Sequence, residues 1–169
     1  SKFLIGLRCK SFFVATIDEA LLLRENFEKI DIYLLNGINS LELAIKTAKK
    51  NITIVVNNDY QLSILKKASK QINSKIKCAF HIDTGMNRLG FSLFNIKKKL
   101  ENINKYLDIK LVMSHMVMSE KKSMYNSKQL KSFEEIKKNL INPDCKKFSI
   151  SNSNAIFLGK KYHYDLIRA

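Results

Sequence analysis

Polar side chains with binding chemistry follow the apolar, strand-like runs of this sequence, each at the point where a run ends. The runs alternate with amphipathic helical patterns, so we expect parallel strands whose carboxyl ends share one edge. Loops at that edge carry the functional groups of α/β barrels. The residues at these positions are Asn36, Asp83, Thr84, Arg88, His115, Asn152, Ser153 and Arg168.

Two arginines and a Ser-Asn-Ser run among these residues predict an anion-binding site. Arg88 follows a turn-rich segment, and the planar donors of a guanidinium suit a carboxylate or a phosphate. Asn152 and Ser153 could supply donors to a phosphate where a helix begins. Arg168 ends an apolar strand and therefore requires a partner. A tight turn capped by Asp83 and plain turn chemistry in the Ser-Asn-Ser run are the alternative interpretations, and a lone histidine such as His115 is more often structural. Together they favour an anion-binding barrel enzyme without specifying its reaction.

Seven apolar strands alternating with helices predict the scaffold. Their β-branched residues face both sides, as in a buried parallel sheet. No Gly-rich phosphate loop follows an early strand, which favours a barrel over a doubly wound sheet. We predict an α/β fold, an incomplete (β/α)8 TIM-type barrel with seven of its eight strands, in one partial domain over residues 1–169. The strands are expected at 11–15, 32–35, 52–56, 76–82, 109–113, 148–150 and 164–167, and the helices after a Thr16 capping box, after Ser40, after an Asp59 cap, after Gly90 and over 127–140.

The net charge of +15 raises nucleic-acid binding as an alternative function. Only four of the 30 basic residues are arginines, and the lysines are scattered over predicted helices. No aromatic residues interleave them in a way that would stack bases. A solvated basic surface is therefore the favoured interpretation.

The three cysteines indicate a reducing compartment. Cys9, Cys78 and Cys145 are odd in number and widely spaced, and no Cys/His spacing typical of a zinc site occurs. Free thiols are usual in the cytoplasm, where we expect this protein to act. No apolar run is long enough to cross a membrane.

The run HIDTGMNRLGF at residues 81–91 closely resembles the alanine racemase segment K-x-D-T-G-M-x-R-L-G. Four other stretches agree with that family in order and spacing: FFVATIDEALLLRE, IYLLNG, LVMSHM, and SNSNA followed by DLIR. The resemblance covers essentially the whole chain. It implies an isomerase that interconverts L- and D-alanine with pyridoxal 5'-phosphate (PLP) and supplies D-alanine for peptidoglycan. It also implies an N-terminal barrel, a C-terminal β domain and a homodimer.

The resemblance assigns roles to individual residues. Arg88 corresponds to the arginine near the substrate carboxylate, and Arg168 to the arginine that faces the pyridine nitrogen of the cofactor. His115 corresponds to the histidine that orients that arginine through a hydrogen bond. The other implied cofactor contacts are Leu35, against the ring, and Asn152 and Ser153, in the phosphate-binding run.

The sequence also departs from the family pattern. The family uses two bases, the lysine that binds the cofactor on the first barrel strand and a tyrosine of the C-terminal domain. Neither context occurs in these 169 residues, so no catalytic residue and no metal ligand is assigned. His81 stands where the family often has a lysine, and Met-Ser-Glu-Lys at 118–121 replaces an acidic run. The expected protein is a racemase fragment; the alternatives are a broad-specificity amino-acid racemase and a PLP-binding homeostasis protein of the same barrel fold.

We predict that the 169-residue chain alone does not racemise alanine, because both bases of the family's reaction are missing from it. A coupled assay for D-alanine checks this, with free PLP at the same concentration as the reference. Turnover clearly above that reference would contradict the prediction.

Overall fold

In the part of the chain that the structure describes, six parallel β-strands form the sheet, and they lie side by side in the same order as along the chain. The structure is a computed structural model that describes residues 1–94, 96, 99, 103–139 and 147–169. A doubly wound sheet reverses its strand order part-way, whereas a barrel does not. The predicted α/β architecture, an incomplete barrel, is therefore confirmed. The strands are β1 (Ser11–Val14), β2 (Asp31–Leu34), β3 (Thr53–Val56), β4 (Ile76–His81), β5 (Leu107–Met113) and β6 (Phe148–Ser149).

In the described residues, helices lie between β1 and β2, β2 and β3, β3 and β4, and β5 and β6, as the alternating pattern predicts. Side chains that alternate along each strand divide into two apolar clusters, because neighbouring residues of a strand face opposite sides of the sheet. The inner cluster contains Tyr33, Val55, Ala79 and Leu111, and the outer cluster packs against the helices. The helices with bounds in the described part of the chain are α1 (Lys2–Gly6), α2 (Ile17–Asn26), α3 (Leu41–Lys49), α4 (Asp59–Ile72) and α5 (Met124–Asn139); 3-10 turns occupy Ile103–Lys105, Asn154–Leu158 and Lys160–Tyr162.

Polar caps define where the connecting helices begin. Thr16 and Glu19 form the predicted capping box of α2, and the Ser40 hydroxyl accepts from the Leu43 backbone N–H of α3. The predicted Asp59 cap is wrong. The side chain of Asn58 accepts from the Gln61 backbone N–H at 2.9 Å, and Asp59 is the first helical residue. A carboxylate there is still favourable, because the amino end of a helix carries partial positive charge.

The seventh strand predicted at 164–167 is wrong. Two backbone hydrogen bonds join the segment to β6 and the residues after it, from Asp165 N–H to Phe148 O and from Arg168 N–H to Ser151 O. Side chains take the place of the other backbone partners that a strand would need: the Asp165 carboxylate accepts from Phe148 N–H, and the Ser149 hydroxyl donates to Leu166 O. Tyr164 has a φ of 51°, which lies outside the range of a residue in a β-strand. The segment lies beside β6 without forming a strand.

Packing on α5 explains the backbone at Tyr164. Its ring lies edge-on against Phe133 of α5, with the ring centroids 5.1 Å apart, and its hydroxyl donates to Glu134. These contacts anchor the side chain on the outer face of the sheet, where α5 packs. The local β-branched pattern of the sequence contains no signal for this interaction.

Some predictions lie outside the described residues. Most of the Lys-rich helix predicted after Gly90 lies on residues that the structure does not describe, and so does Cys145. Within the described ranges, no helix combines the length and apolar character that crossing a bilayer requires. The same ranges hold no cluster of three or more His, Cys, Asp or Glu placed to bind a metal ion.

We predict that Asn58→Ala lowers the free energy of unfolding by about 1 kcal/mol, the usual cost of removing an amino-terminal cap. Asn58→Asp should lose much less, because aspartate is an equally good cap. Urea unfolding of the three proteins checks this. Equal losses in the two variants would show that the Asn58 side chain does not cap α4.

Candidate functional site

The carboxyl ends of the parallel strands bring most of the predicted polar residues to one edge. Direct bonds join residues that follow different strands: the Thr84 and Ser114 hydroxyls lie 2.7 Å apart, and Asn152 Nδ2 donates to Met116 O at 3.3 Å. Arg168 also donates to this edge, from its Nη2 to the Ser114 carbonyl. Asn36 is the exception: among the described residues its side chain makes no hydrogen bond, and its carbonyl accepts from Gln61 Nε2.

Arg168 lies at the centre of this edge. Its guanidinium donates from Nη1 to the Ser149 hydroxyl and from Nη2 to the Ser114 carbonyl. Part of the residue remains exposed, yet desolvation of the guanidinium lowers its pKa to about 10. It therefore keeps its charge at neutral pH. A guanidinium has five N–H donors, so three remain for another partner.

The base of the site is aromatic. The Arg168 Cζ lies 6.0 Å from the centroid of the Phe13 ring, which stacks on Tyr33 with 4.5 Å between centroids. Such a cation–ring contact is favourable where water is excluded. Burial, with a smaller contribution from Asp31, raises the pKa of Tyr33 to about 12, so its phenol stays neutral. Leu35 packs against the same inner cluster, beside these rings.

The loop after β4 presents Arg88 from a rigid base. The Asp83 carboxylate accepts from three successive backbone N–H groups, those of Gly85, Met86 and Asn87, each at 2.8 Å. The loop closes where Phe91 N–H donates to His81 O and Asp83 N–H donates to Phe91 O. Arg88 itself is exposed, and its guanidinium makes no hydrogen bond to any described residue.

Gln129 of α5 ties two of the site loops together. Its Nε2 donates to His115 O at 2.9 Å and to the Thr84 hydroxyl at 3.2 Å, while its Oε1 accepts from Val117 N–H at 3.0 Å. The residue is buried. A buried amide with all these partners fixes the loops after β4 and β5 relative to one another.

His115 lies close enough to both arginines to sense their charge. Its pKa is lowered, first by desolvation and then by Arg168 and Arg88, so the imidazole is neutral at pH 7. The hydrogen bond predicted between His115 and Arg168 is not among those that the described residues make. Ser149 and the Ser114 carbonyl contact the guanidinium instead.

The Ser-Asn-Ser run after β6 divides into anchored and open residues. The Ser151 hydroxyl is buried and donates to Tyr162 O, and the Asn152 amide is engaged at both ends, by Met116 O and by Ala155 N–H. Ser153 is exposed, and its hydroxyl has no partner in the described structure. Of the predicted phosphate-binding pair, Ser153 is therefore the residue whose side chain remains available.

Comparison with known proteins decides the family. Residues 1–169 match the family described as alanine racemase, N-terminal domain. The chain belongs to this family. Among curated relatives, the alanine racemase of Rickettsia akari is 37% identical over 99% of this chain and 47% of its own length. That of Rickettsia bellii is 35% identical over 99% of this chain and 41% of its own length.

Solved racemases share the fold. The alanine racemase of Bartonella henselae, solved with covalently bound pyridoxal phosphate, superposes with a TM-score of 0.85 and 33% identity. The match covers 95% of this chain and 46% of that one. A Clostridium difficile alanine racemase gives a TM-score of 0.89 at 24% identity, over 99% of this chain and 45% of the other, and supports the fold alone. The chain thus spans about half the length of the racemases it matches.

Sequence reasoning missed one polar residue of this racemase domain, Asn57, and assigned no role to another, His81. Asn57 directly follows β3, the position that singled out the other candidates, but the Asn57-Asn58 pair reads as a helix start. His81 is the last residue of β4, and its Nδ1 lies 2.9 Å from Asn57 Oδ1. A rule that includes the final residue of each strand as well as those after it would have found both.

We predict that Gln129→Met destabilises the protein by about 2 kcal/mol, because the buried Thr84 hydroxyl and two backbone groups lose their hydrogen bonds to the amide. Gln71→Met is the control, since Gln71 is exposed on α4 and the same change of side chain should cost little there. Urea unfolding measures both. A loss at Gln129 no larger than at Gln71 would show that the amide does not connect the loops.

Proposed function

We propose that this chain is the PLP-binding barrel part of an alanine racemase. The observation that carries the proposal is the buried guanidinium of Arg168, anchored by Ser149 and Ser114 at the mouth of a partial racemase barrel, with N–H donors left over. The relatives are alanine racemases, which makes alanine the proposed substrate and isomerisation the proposed reaction. As in that family, the whole protein is proposed to act as a homodimer in the cytoplasm and to supply D-alanine for peptidoglycan.

The residues present fit PLP. An anionic cofactor suits an edge where two arginines both lie near enough to His81 and His115 to lower the pKa of each imidazole. Arg168 offers unused donors above an aromatic and apolar base, which suits a planar ring with an acceptor nitrogen. Ser153 supplies an exposed hydroxyl at the strand end where barrels often bind phosphate.

Arg168 would contact the ring nitrogen and keep it unprotonated. A guanidinium stays charged at neutral pH even with its pKa lowered to about 10, so it donates a hydrogen bond without giving up its proton. When bound, PLP supplies the electron sink of the reaction. An unprotonated ring nitrogen limits how far electrons spread into the ring, and Arg168 thereby disfavours side reactions such as transamination.

The other residues position the two anionic groups. Arg88, on its carboxylate-anchored loop, would bind the substrate carboxylate. Ser153 would donate to the cofactor phosphate, and Leu35 would contact the ring from the inner cluster. Asn152 would act by shaping the loop, because both ends of its amide are already engaged. His115 adds a neutral imidazole beside both arginines, which excludes a competing positive charge.

The acid–base steps are proposed to come from the remainder of the full-length protein. Racemisation moves a proton off one face of the substrate and onto the other, so it requires two bases. No described side chain of the site is a carboxylate or a lysine free for this role, since Asp83 accepts from three backbone N–H groups. The relatives are about twice as long as this chain, which leaves room for both bases.

We predict that Ser153→Asp weakens PLP binding about tenfold, or ~1.4 kcal/mol, through repulsion of the phosphate. The measurement is a titration of PLP against the protein expressed at the full length of its gene. Ser74→Asp is the control, because it adds the same charge at the exposed amino end of β4. Equal weakening in both variants would contradict a phosphate contact at Ser153.

The reaction itself is tested on that full-length protein by coupled assays with alanine and other amino acids. Racemisation of alanine above all others is expected. Comparable rates with several amino acids would favour a broad-specificity racemase, and none at all would overturn the proposed activity.

A further inference from the structure

We propose that the barrel has a second binding site, for a nucleoside triphosphate, in a lysine-lined groove at the amino ends of its strands. The groove consists of two adjacent hollows that share Ser74 and Lys75 as a common wall. It lies at the opposite end of the sheet from the site proposed for PLP, because β4 begins beside the groove at Ile76 and ends at His81. The inference is therefore independent of the racemase reaction.

The charge of the groove is positive and unbalanced. Lysine side chains line both hollows, and no aspartate or glutamate is among the described residues that line them. None of these lysines forms an ion pair within the part of the chain that the structure describes. Cations gathered in a concave surface without a counter-charge attract anions. The five lysines are Lys49, Lys70, Lys75, Lys77 and Lys105.

Helix ends account for only part of this charge. Lys49 and Lys70 lie in the last turns of α3 and α4, where a lysine stabilises the partial negative charge of the helix end. Lys75 and Lys77 lie outside any helix and have no such role. The Lys77 ammonium donates to the amide oxygen of Asn51 at 2.6 Å, and this neutral partner leaves its charge in place.

Tyr106 holds two of the ammonium groups close together. Nζ of Lys70 lies 5.3 Å from the centroid of the Tyr106 ring, and Nζ of Lys105 lies 5.9 Å from it, so the ring attracts both cations. The backbone fixes Tyr106, because its carbonyl accepts from Ile76 N–H at 3.1 Å and its N–H donates to Ile103 O at 2.9 Å. Both charges are therefore in place before a ligand arrives, which lowers the entropic cost of binding.

The two hollows suit different parts of one ligand. The first, of about 410 Å³, has apolar walls from Ala48 and Ile72, two half-buried residues at the edge of the outer cluster. The second, of about 320 Å³, is lined by lysines, serines, Asn73 and Tyr106. Both volumes are typical of small-molecule sites. A flat, weakly polar base fits the first hollow, and phosphate groups fit the second.

The number of lysines favours a triphosphate over a single phosphate. Lysine binds phosphate as a point charge, and the second hollow presents three such charges, from Lys70, Lys75 and Lys105. Tyr106 already contacts two ammonium groups, and no other aromatic ring lines the groove in the described residues. Successive bases of a nucleic acid therefore have nothing to stack on, which favours a single nucleotide.

The first test is a calorimetric titration of ATP into the full-length protein, loaded with one equivalent of PLP and dialysed so that the PLP site is occupied. We expect ATP to bind several-fold more tightly than AMP or inorganic tripolyphosphate, and more weakly as salt screens the lysines. An absence of ATP binding would overturn the proposal. Tripolyphosphate or a single-stranded oligonucleotide that binds as tightly as ATP would overturn the assignment to a nucleotide.

Charge reversal locates the site. We expect Lys75→Glu combined with Lys105→Glu to weaken ATP binding at least tenfold, and both side chains are exposed, so folding is preserved. Lys128→Glu combined with Lys138→Glu is the matched control, because it makes the same change in net charge at exposed positions of α5. A change of less than twofold is expected there. Equal weakening in the two double variants would show that net charge alone attracts ATP and would overturn the proposal.

Filling the first hollow tests where the base lies. Ala48→Gln places a longer side chain in that hollow from a helical position that glutamine tolerates well. We expect ATP to bind several-fold more weakly and tripolyphosphate to bind unchanged. Equal losses for the two ligands, or no loss for ATP, would overturn the placement of the base. Neither measurement uses turnover, so a full-length protein without racemase activity would refute the proposed function and leave this test decisive.

Discussion

The arrangement of this site depends on one constraint: the guanidinium of Arg168 is removed from water at the mouth of the barrel and needs hydrogen-bond partners there. Burying that charge is costly unless its donors find partners, and Arg168 finds them in Ser149 on β6 and in the Ser114 carbonyl after β5. Both partners must be presented at the same height, which parallel strands with aligned carboxyl ends provide. The Phe13–Tyr33 stack beneath closes the site from the apolar side.

The electrostatics of the site follow from that arrangement. Desolvation lowers the pKa of His81 and of His115, and the charges of Arg168 and Arg88 lower both further, so the two imidazoles remain neutral. The site is thus positive without being crowded by titrating groups, which suits a cofactor and a substrate that each carry negative charge. Desolvation also strengthens each remaining interaction, since water no longer screens it.

Hydrogen bonds from side chains to backbone groups hold the loops around the site in place. Asp83 anchors one loop through three backbone N–H groups, and Gln129 joins that loop to the next from the opposite helix. Asn57 and Gln61 do the same for the loops after β2 and β3. Every one of these buried amides is engaged at both ends, the condition under which a polar network rigidifies a protein.

Local patterns in the sequence determined the alternation of strands and helices, the caps at Thr16 and Ser40, and the edge where the site lies. These depend on neighbouring residues and on strand direction, which short-range spacing encodes. Tertiary structure decided that residues 164–167 form no strand, because Tyr164 packs on α5. It also decided that the Asn57 side chain lies against His81 and that Gln129 joins two loops. Those partners are distant in sequence, and only burial together makes their hydrogen bonds obligatory.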